Sequence, residues 1–384
     1  MYRVVYTSYI PLAYNRPRLI YLICKVMGMK KIKNHLSAIL PPVLALALAA
    51  GFVFFGDSAA QGAKNGAALC TSVIIPSVFP FMCVCLLLSQ SGGDRLFSKL
   101  LPHISKLLFG RLWEYSYIFF LSLLGGYPAA ASMLSPLLKQ QKVSLQTFRR
   151  LLLFCFCPTP AFCITAVGRG MYQSESIGLV LYASCVLSSL LAGIFICRIK
   201  KPVVNSPSVP FKRPDLSGIF VSSIETASKS CLTICATVIF CCSVLSLLKE
   251  LIKYSAISEI LTCLFETTSA ADFSAKNLPV FVTAAVLSFG GVSTFFQTAA
   301  ISGRAFPKVW IFLLLRFASA ALSAGICRGL LLIFKISVPA ISNESGGVLS
   351  ADISCSPLPA ILLVLCAVSL VMCSLRSQNG AFSG

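Results

Sequence analysis

The chain has 384 residues, a net charge of +20 and a mean hydropathy of +0.86, with 57% hydrophobic and 11% charged residues. Soluble domains carry roughly 25% charged residues, so a water-soluble enzyme or binding module is excluded and an integral membrane protein is expected. The basic residues lie in loops between apolar runs, without aromatic interleaving, which suits a cytoplasmic membrane face and not a nucleic-acid surface.

Residues 1–35 carry seven Lys/Arg and no acid. The uncharged run 36–56 comes next. It is longer than a usual signal core, so an uncleaved first helix is favoured over a secretory signal, although "DSAAQGA" offers small residues for cleavage. Residues 1–28 are expected to be a poorly ordered extension, as from an upstream start codon.

Further uncharged runs lie at 65–93, 115–138, 151–168, 176–197, 230–248, 277–303 and 353–375, while 309–334 holds Arg316 and Arg328. The fold expected is an all-α polytopic membrane protein, with about 7–8 transmembrane helices and one or two re-entrant or broken helices.

The run 115–138 contains Gly125-Gly126-Tyr127-Pro128, poor material for a helix interior. If it crossed once, the next loop would lie outside. That loop holds Lys139, Lys142, Arg149 and Arg150 and no acid, against the positive-inside rule. A re-entrant hairpin turning at the Gly pair removes the conflict. Broken backbone at membrane depth must be buried in protein or line a cavity.

A second pair, Gly290-Gly291, sits in "LSFGGVSTFFQ". If it is also a hairpin, the chain divides into six parts. A basic cytoplasmic extension (1–35) and a first helix (36–56) precede a first half (67–197). A basic Pro-rich cytoplasmic linker (198–229) leads to a second half of opposite orientation (230–375) and a tail (376–384). This is the inverted-repeat, transporter-like plan. A single crossing of 277–303 stays open, because Arg304 and Lys308 then fall inside.

Small residues at the Gly pairs can simply let helices approach. Broken helices can also aim free N–H and C=O groups at a solute. On that reading the substrate-binding candidates are Gly125, Gly126, Pro128 and Ser132 at the first pair, and Pro158 and Thr159 in "CPTP". At the second pair they are Gly290, Gly291, Ser293, Thr294 and Gln297. Gln297 both donates and accepts, which suits a neutral polar solute. Thr159 has a bland alternative, rebonding carbonyls freed by the two prolines.

Glu266 is either a solvated loop residue or an acid tucked between helices, where its expense would mark function. Arg316 is its expected charge partner. The 18 cysteines lie mostly in apolar runs without Cys-x-x-Cys spacing, and there are two His, so no metal or other cofactor is expected. With no phosphate loop, no Gly-x-Ser-x-Gly elbow and every Asp at a segment edge, no enzyme is expected.

Five segments in order carry a family resemblance: "PSVFPFMCVCLLLSQSG" (76–92), "GGYPAAASMLSPLLKQQKVSLQTFRRLLLFCFCPTPAFCITAVGRGMY" (125–172), "SIETASKSCLTICATVIFCCSVLSLL" (223–248), "CLFETTSA" (263–270) and "LSFGGVSTFFQTAAIS" (287–302). Over about residues 67–335 the chain resembles the sporulation integral membrane proteins of the YlbJ type. These carry the nucleoside recognition, or Gate, domain of endospore-forming Firmicutes.

The resemblance implies a multi-pass protein of the bacterial cell membrane or a membrane of the developing spore, needed for spore envelope or cortex maturation. It implies a transporter-like protein handling a small polar solute such as a nucleoside. A non-transporting scaffold for envelope or cortex assembly is the alternative. The partners implied are the lipid bilayer, further copies of the chain and other spore membrane proteins, with no nucleic acid.

The sequence departs from the family pattern in two places. Gly126-Tyr127-Pro128 keeps the Gly-aromatic-Pro of the first block, but Ala130, Ala131 and Ser132 replace its Gly-Ala-Lys. Phe156 stands where the family has Asn. Ser293, Gln297 and an acid at Glu266 are kept.

Overall fold

A computed structural model describes residues 39–93, 102–199, 216–252 and 255–336. By internal contacts the chain separates into two units, Met1–Ala50 with Val368–Gly384, and Gly51–Ala367. The described part of the first is the beginning of the short apolar helix α1 (Ile39–Phe54). The second unit holds every other described element.

Its described residues form helices and no strand. Lipid offers no partners for backbone N–H and C=O groups, and helices satisfy them internally. Among the described residues, five segments are long and apolar enough to cross a membrane: Gly56–Gln90, Glu175–Arg198, Ser217–Leu251, Val280–Ala305 and Val309–Ile333. They become six if the bent pair Pro102–Phe109 and Leu112–Gly125 is one span. This is fewer than the 7–8 expected. The run 353–375, the extension 1–35 and the tail 376–384 lie outside the described residues.

The first long segment is α2 (Gly56–Leu69), a π-helical turn (Cys70–Ile74) and α3 (Ile75–Gln90). After α4 (Pro102–Phe109) comes a broken pair, α5 (Ser116–Gly125) and α6 (Ala129–Lys139). A second broken pair succeeds it: α7 (Leu145–Phe154), an unwound stretch at 155–159 and a π helix (Phe162–Met171). The run 151–168 is therefore not one crossing helix. Pro158 and Pro160 lack the N–H that would continue it.

α8 (Glu175–Ile199) carries no charge between its ends, with Glu175 in the first turn and Arg198 in the last. Both charges complement the helix dipole. α9 (Leu216–Leu251) begins well before 230, so 216–229, expected in the linker, is helical. Two more broken pairs come next, α10 (Ser255–Phe265) with α11 (Thr267–Asn277), and α12 (Val280–Phe289) with α13 (Gly291–Ser302). The long helix α14 (Val309–Ile333) ends the described chain.

Two helix seams run backbone against backbone. A Cβ added at Gly62 would lie 2.8 Å from the Cα of Ser243, and one at Gly66 2.8 Å from the Cα of Ile239, so α2 lies directly on α9. A Cβ at Gly168 would lie 2.7 Å from the Cα of Gly178, which puts the π helix on α8. The rings of Phe109, Phe119 and Phe154 form a buried cluster with centroids 5.3–5.9 Å apart. α8 is tied to α14 by Ser188 Oγ, which donates to the Ser319 carbonyl at 2.7 Å.

Candidate functional site

Four breaks in the helices define the site. At the first, α5 ends at Gly125 and Gly126 turns with φ +83° and ψ −171°. A Cβ at Gly126 would lie 2.7 Å from Thr159 Cγ2, so the position takes glycine for both conformation and space. Pro128 then caps α6, where its missing N–H leaves nothing unbonded. Between them, the Tyr127 hydroxyl donates to the Leu287 carbonyl at 2.6 Å, and its ring lies 4.8 Å from that of Phe156.

The second break is the stretch 155–159. Thr159 Oγ1 accepts from the Phe162 N–H at 3.0 Å and starts the π helix. It therefore caps an amide instead of rebonding a carbonyl. The loose carbonyls are taken from α14 and α8. Arg316 donates to Leu153 O and, at 3.2 Å, to Phe156 O, and Ser189 Oγ donates to Phe156 O at 3.2 Å.

The third break is a single residue, Glu266, extended at φ −135° and ψ 124°. Its Oε2 accepts from the Ser269 N–H at 2.6 Å and caps α11. The fourth is Gly290, with φ +83°, which both ends α12 and begins α13. A Cβ there would lie 2.6 Å from Phe156 Cε1. The Gly290 carbonyl accepts from the hydroxyls of Thr267 and Thr294.

Three of the four breaks, and the helix that begins at the fourth, supply the wall of one cavity of about 60 Å³. Gly126 and Pro128 come from the first, Thr159 from the second, Glu266, Thr267 and Thr268 from the third, and Thr294 and Gln297 from the turns after the fourth. Val73 and Ile74 of the first π turn and Val238 of α9 supply apolar wall. The volume holds about four waters at ~15 Å³ each by the same measure. The N-termini of α6, the π helix and α11 lie on this wall, each a partial positive charge.

Three buried polar side chains keep unspent hydrogen-bonding atoms at this wall. Glu266 is 2% exposed, and its second carboxylate oxygen has no partner among the described residues. Gln297 is 3% exposed; its Nε2 donates to Ser293 Oγ at 3.0 Å, leaving the amide oxygen unpartnered among the described residues. The Thr268 hydroxyl, in a residue 6% exposed, is likewise without a partner there.

Of the residues expected from sequence, Gly126, Pro128, Thr159, Glu266, Thr294 and Gln297 are brought together on this wall. The others stand behind it. Gly125 sits against Ala129 and Cys85, Ser132 Oγ lies 2.9 Å from Ser230 Oγ, and Ser293 holds Gln297. Pro158 lies in the second break, and Gly290 and Gly291 form the fourth.

The Arg316–Glu266 ion pair expected from sequence is not formed. The Arg316 guanidinium is bonded to backbone carbonyls and lies 4.7 Å and 5.3 Å from the ring centres of Phe156 and Phe312. Sequence reasoning misses Thr267 and Thr268. Their signal is an acid directly before two hydroxyl residues, an N-cap and its first turn. Among the described residues no group of three or more His, Cys, Asp or Glu could hold a metal ion.

No family model matches the chain, and no solved structure matches it. Among curated proteins it is similar to the sporulation integral membrane protein YlbJ of Bacillus subtilis (strain 168), at 26% identity over 168 residues. That stretch is 44% of this chain and 40% of the relative, so the match spans less than half of either. The similarity supports a YlbJ-like relationship. With the five apolar helices, it makes the chain a multi-pass membrane protein.

Proposed function

We propose that the chain is a membrane protein of endospore formation that binds a small polar solute at the four helix breaks and passes it across a membrane of the sporulating cell. One observation carries the reading: three helix breaks and the helix that begins at the fourth meet at one cavity, where Glu266, Thr268 and Gln297 hold unspent polar atoms. Unwound backbone at membrane depth survives where it lines a cavity, and a buried acid in such a chain is expensive. Packing alone requires neither. The spore context comes from the relative's name, and the protein acts without catalysing a reaction.

The order of elements supports an internal repeat, which we read as inverted. A long helix, two broken helices and a long helix run from Gly56 to Ile199, with α4 inserted, and again from Leu216 to Ile333. This order pairs the break at 126–128 with Glu266, and the break at 155–159 with Gly290. It replaces the pairing of Gly125-Gly126 with Gly290-Gly291.

A nucleoside, as the Gate-domain resemblance suggests, needs a wider cavity than the present ~60 Å³, since sites for drug-sized ligands run about 300–1,000 Å³. Transport of one therefore requires an opened state. The scaffold reading requires no solute.

The two readings part in liposomes. Full-length protein is reconstituted and challenged with nucleosides and other small polar solutes, and Thr268→Val and Gln297→Ala are compared with wild type there and in spore formation. Saturable uptake that both variants weaken is expected. No uptake or binding of any solute, with normal spores from both variants, would sink the solute site and leave the scaffold.

A further inference from the structure

We infer that the solute this cavity takes is a small cation that donates hydrogen bonds, of the ammonium or primary-amine type. The inference rests on the solute-site reading above and names its chemical class.

Of the six hydroxyl groups at the wall, four donate inside the protein, and the hydrogens of Thr159 and Thr268 stay free among the described residues. Ser77 donates to the Val73 carbonyl at 2.6 Å and Tyr127 to the Leu287 carbonyl at 2.6 Å. Thr267 and Thr294 both donate to the Gly290 carbonyl. Three helix-end amides are used as well: Phe162 N–H by Thr159, Ala129 N–H by the Gly126 carbonyl at 3.1 Å, and Ser269 N–H by Glu266.

Helix N-termini seek an anion, and here they already have one in the Glu266 carboxylate. What stays unspent is the second oxygen of Glu266, the amide oxygen and second amide hydrogen of Gln297, and the hydroxyl groups of Thr268 and, as a donor, Thr159; the one formal charge among them is the negative charge of Glu266. A second anion would meet Glu266 in a poorly screened interior. A donor cation offsets that charge and satisfies the acceptors together.

The other buried charge does not compete for this role. Arg316 is absent from the cavity wall, and its guanidinium is held by the Leu153 and Phe156 carbonyls and faced by two rings. The size agrees too. About 60 Å³ admits ammonium or methylammonium with a water, and Val73, Ile74 and Val238 can receive a methyl group.

The test is the thermal unfolding of full-length protein in detergent, titrated at constant ionic strength with methylammonium chloride. The comparison salts are tetramethylammonium chloride, which has the charge but no donor, sodium chloride and sodium phosphate. Methylammonium is expected to raise Tm saturably and the comparison salts not to. Thr268→Val and Gln297→Ala should weaken the apparent affinity about tenfold each, and Glu266→Gln should abolish it.

Since Glu266 also caps α11, the Thr268 and Gln297 variants carry the test if the Glu266 variant does not fold. An equal shift from tetramethylammonium, sodium or phosphate overturns the inference, as does a methylammonium shift that survives both the Thr268 and Gln297 variants. If methylammonium is inert while uridine gives a saturable shift lost in Gln297→Ala, the cation class fails and the solute site stands. If no compound shifts Tm, both fail.

Discussion

Arg316 holds Phe156 twice, donating to its carbonyl oxygen at 3.2 Å and lying 4.7 Å from the centre of its ring. A charge on the long helix α14 thereby closes the C-terminal end of the broken helix α7, whose last carbonyls have no helical donor. The cationic group also suits the negative end of that helix dipole. The same ring touches Tyr127 and limits the space at Gly290, so one side chain joins three of the four breaks.

Replacing Arg316 with Met should orphan the Leu153 carbonyl and leave Phe156 O with Ser189 alone, at about 1–3 kcal/mol for an unsatisfied buried acceptor. Lys keeps the charge but not the planar fork, and should fall between Met and wild type. The fall in Tm of the purified protein measures both. A Met variant as stable as wild type would show that the carbonyls find other donors.

Gly290→Ala combines a left-handed backbone with a Cβ 2.6 Å from Phe156 Cε1. A loss on the order of 1–3 kcal/mol is expected, read as a lowered Tm. Adding Phe156→Leu should recover the crowding and not the backbone strain. Gly325→Ala is the matched control, since it sits in α14 with nothing within 4 Å, and it should be neutral or slightly stabilising.

Tyr127→Phe removes a single hydroxyl. In an unbroken helix the Leu287 carbonyl would accept from residue 291, but the turn at Gly290 withdraws that donor and Tyr127 supplies another. Loss of this bond should lower stability by about 1–3 kcal/mol. Hydrogen exchange should quicken around 287–293.

Gly62→Val tests the α2–α9 seam. Its side chain would enter the space of the Ser243 backbone and force α2 from α9, at about 1–3 kcal/mol for overpacking. Gly56→Ala, with nothing within 4 Å, should leave Tm unchanged. Equal Tm values for the two variants would contradict the backbone contact.

The breaks at Gly126-Pro128 and Gly290 are legible in the sequence because glycine and proline interrupt helices through their own covalent structure. Glu266 is legible because an acid in so apolar a chain is dear to bury. Thr268 is not, since hydroxyls in apolar helices usually bond their own backbone, as Ser77 and Thr294 do, and only the fold separates Thr268 from them. Arg316 is legible as buried but not in its partner. Sequence suggests an opposite charge, whereas the fold supplies carbonyls at a helix end. The run 151–168 misleads because freedom from charge marks an apolar environment and says nothing of the backbone within it.

The π helix Phe162–Met171 sets how variants in that segment will sort. Its buried residues are Phe162, Cys163, Val167 and Gly168, two pairs each five apart, as the i→i+5 bonding of a π helix stacks them. The Tyr172 N–H, which donates to Val167 O at 3.0 Å, continues the same step. A substitution scan drawn on an α-helical wheel would scatter its sensitive positions around the circle. Arranged by fives, the same scan should resolve into one intolerant stripe against α8 and one permissive stripe through the exposed Thr165 and Gly170.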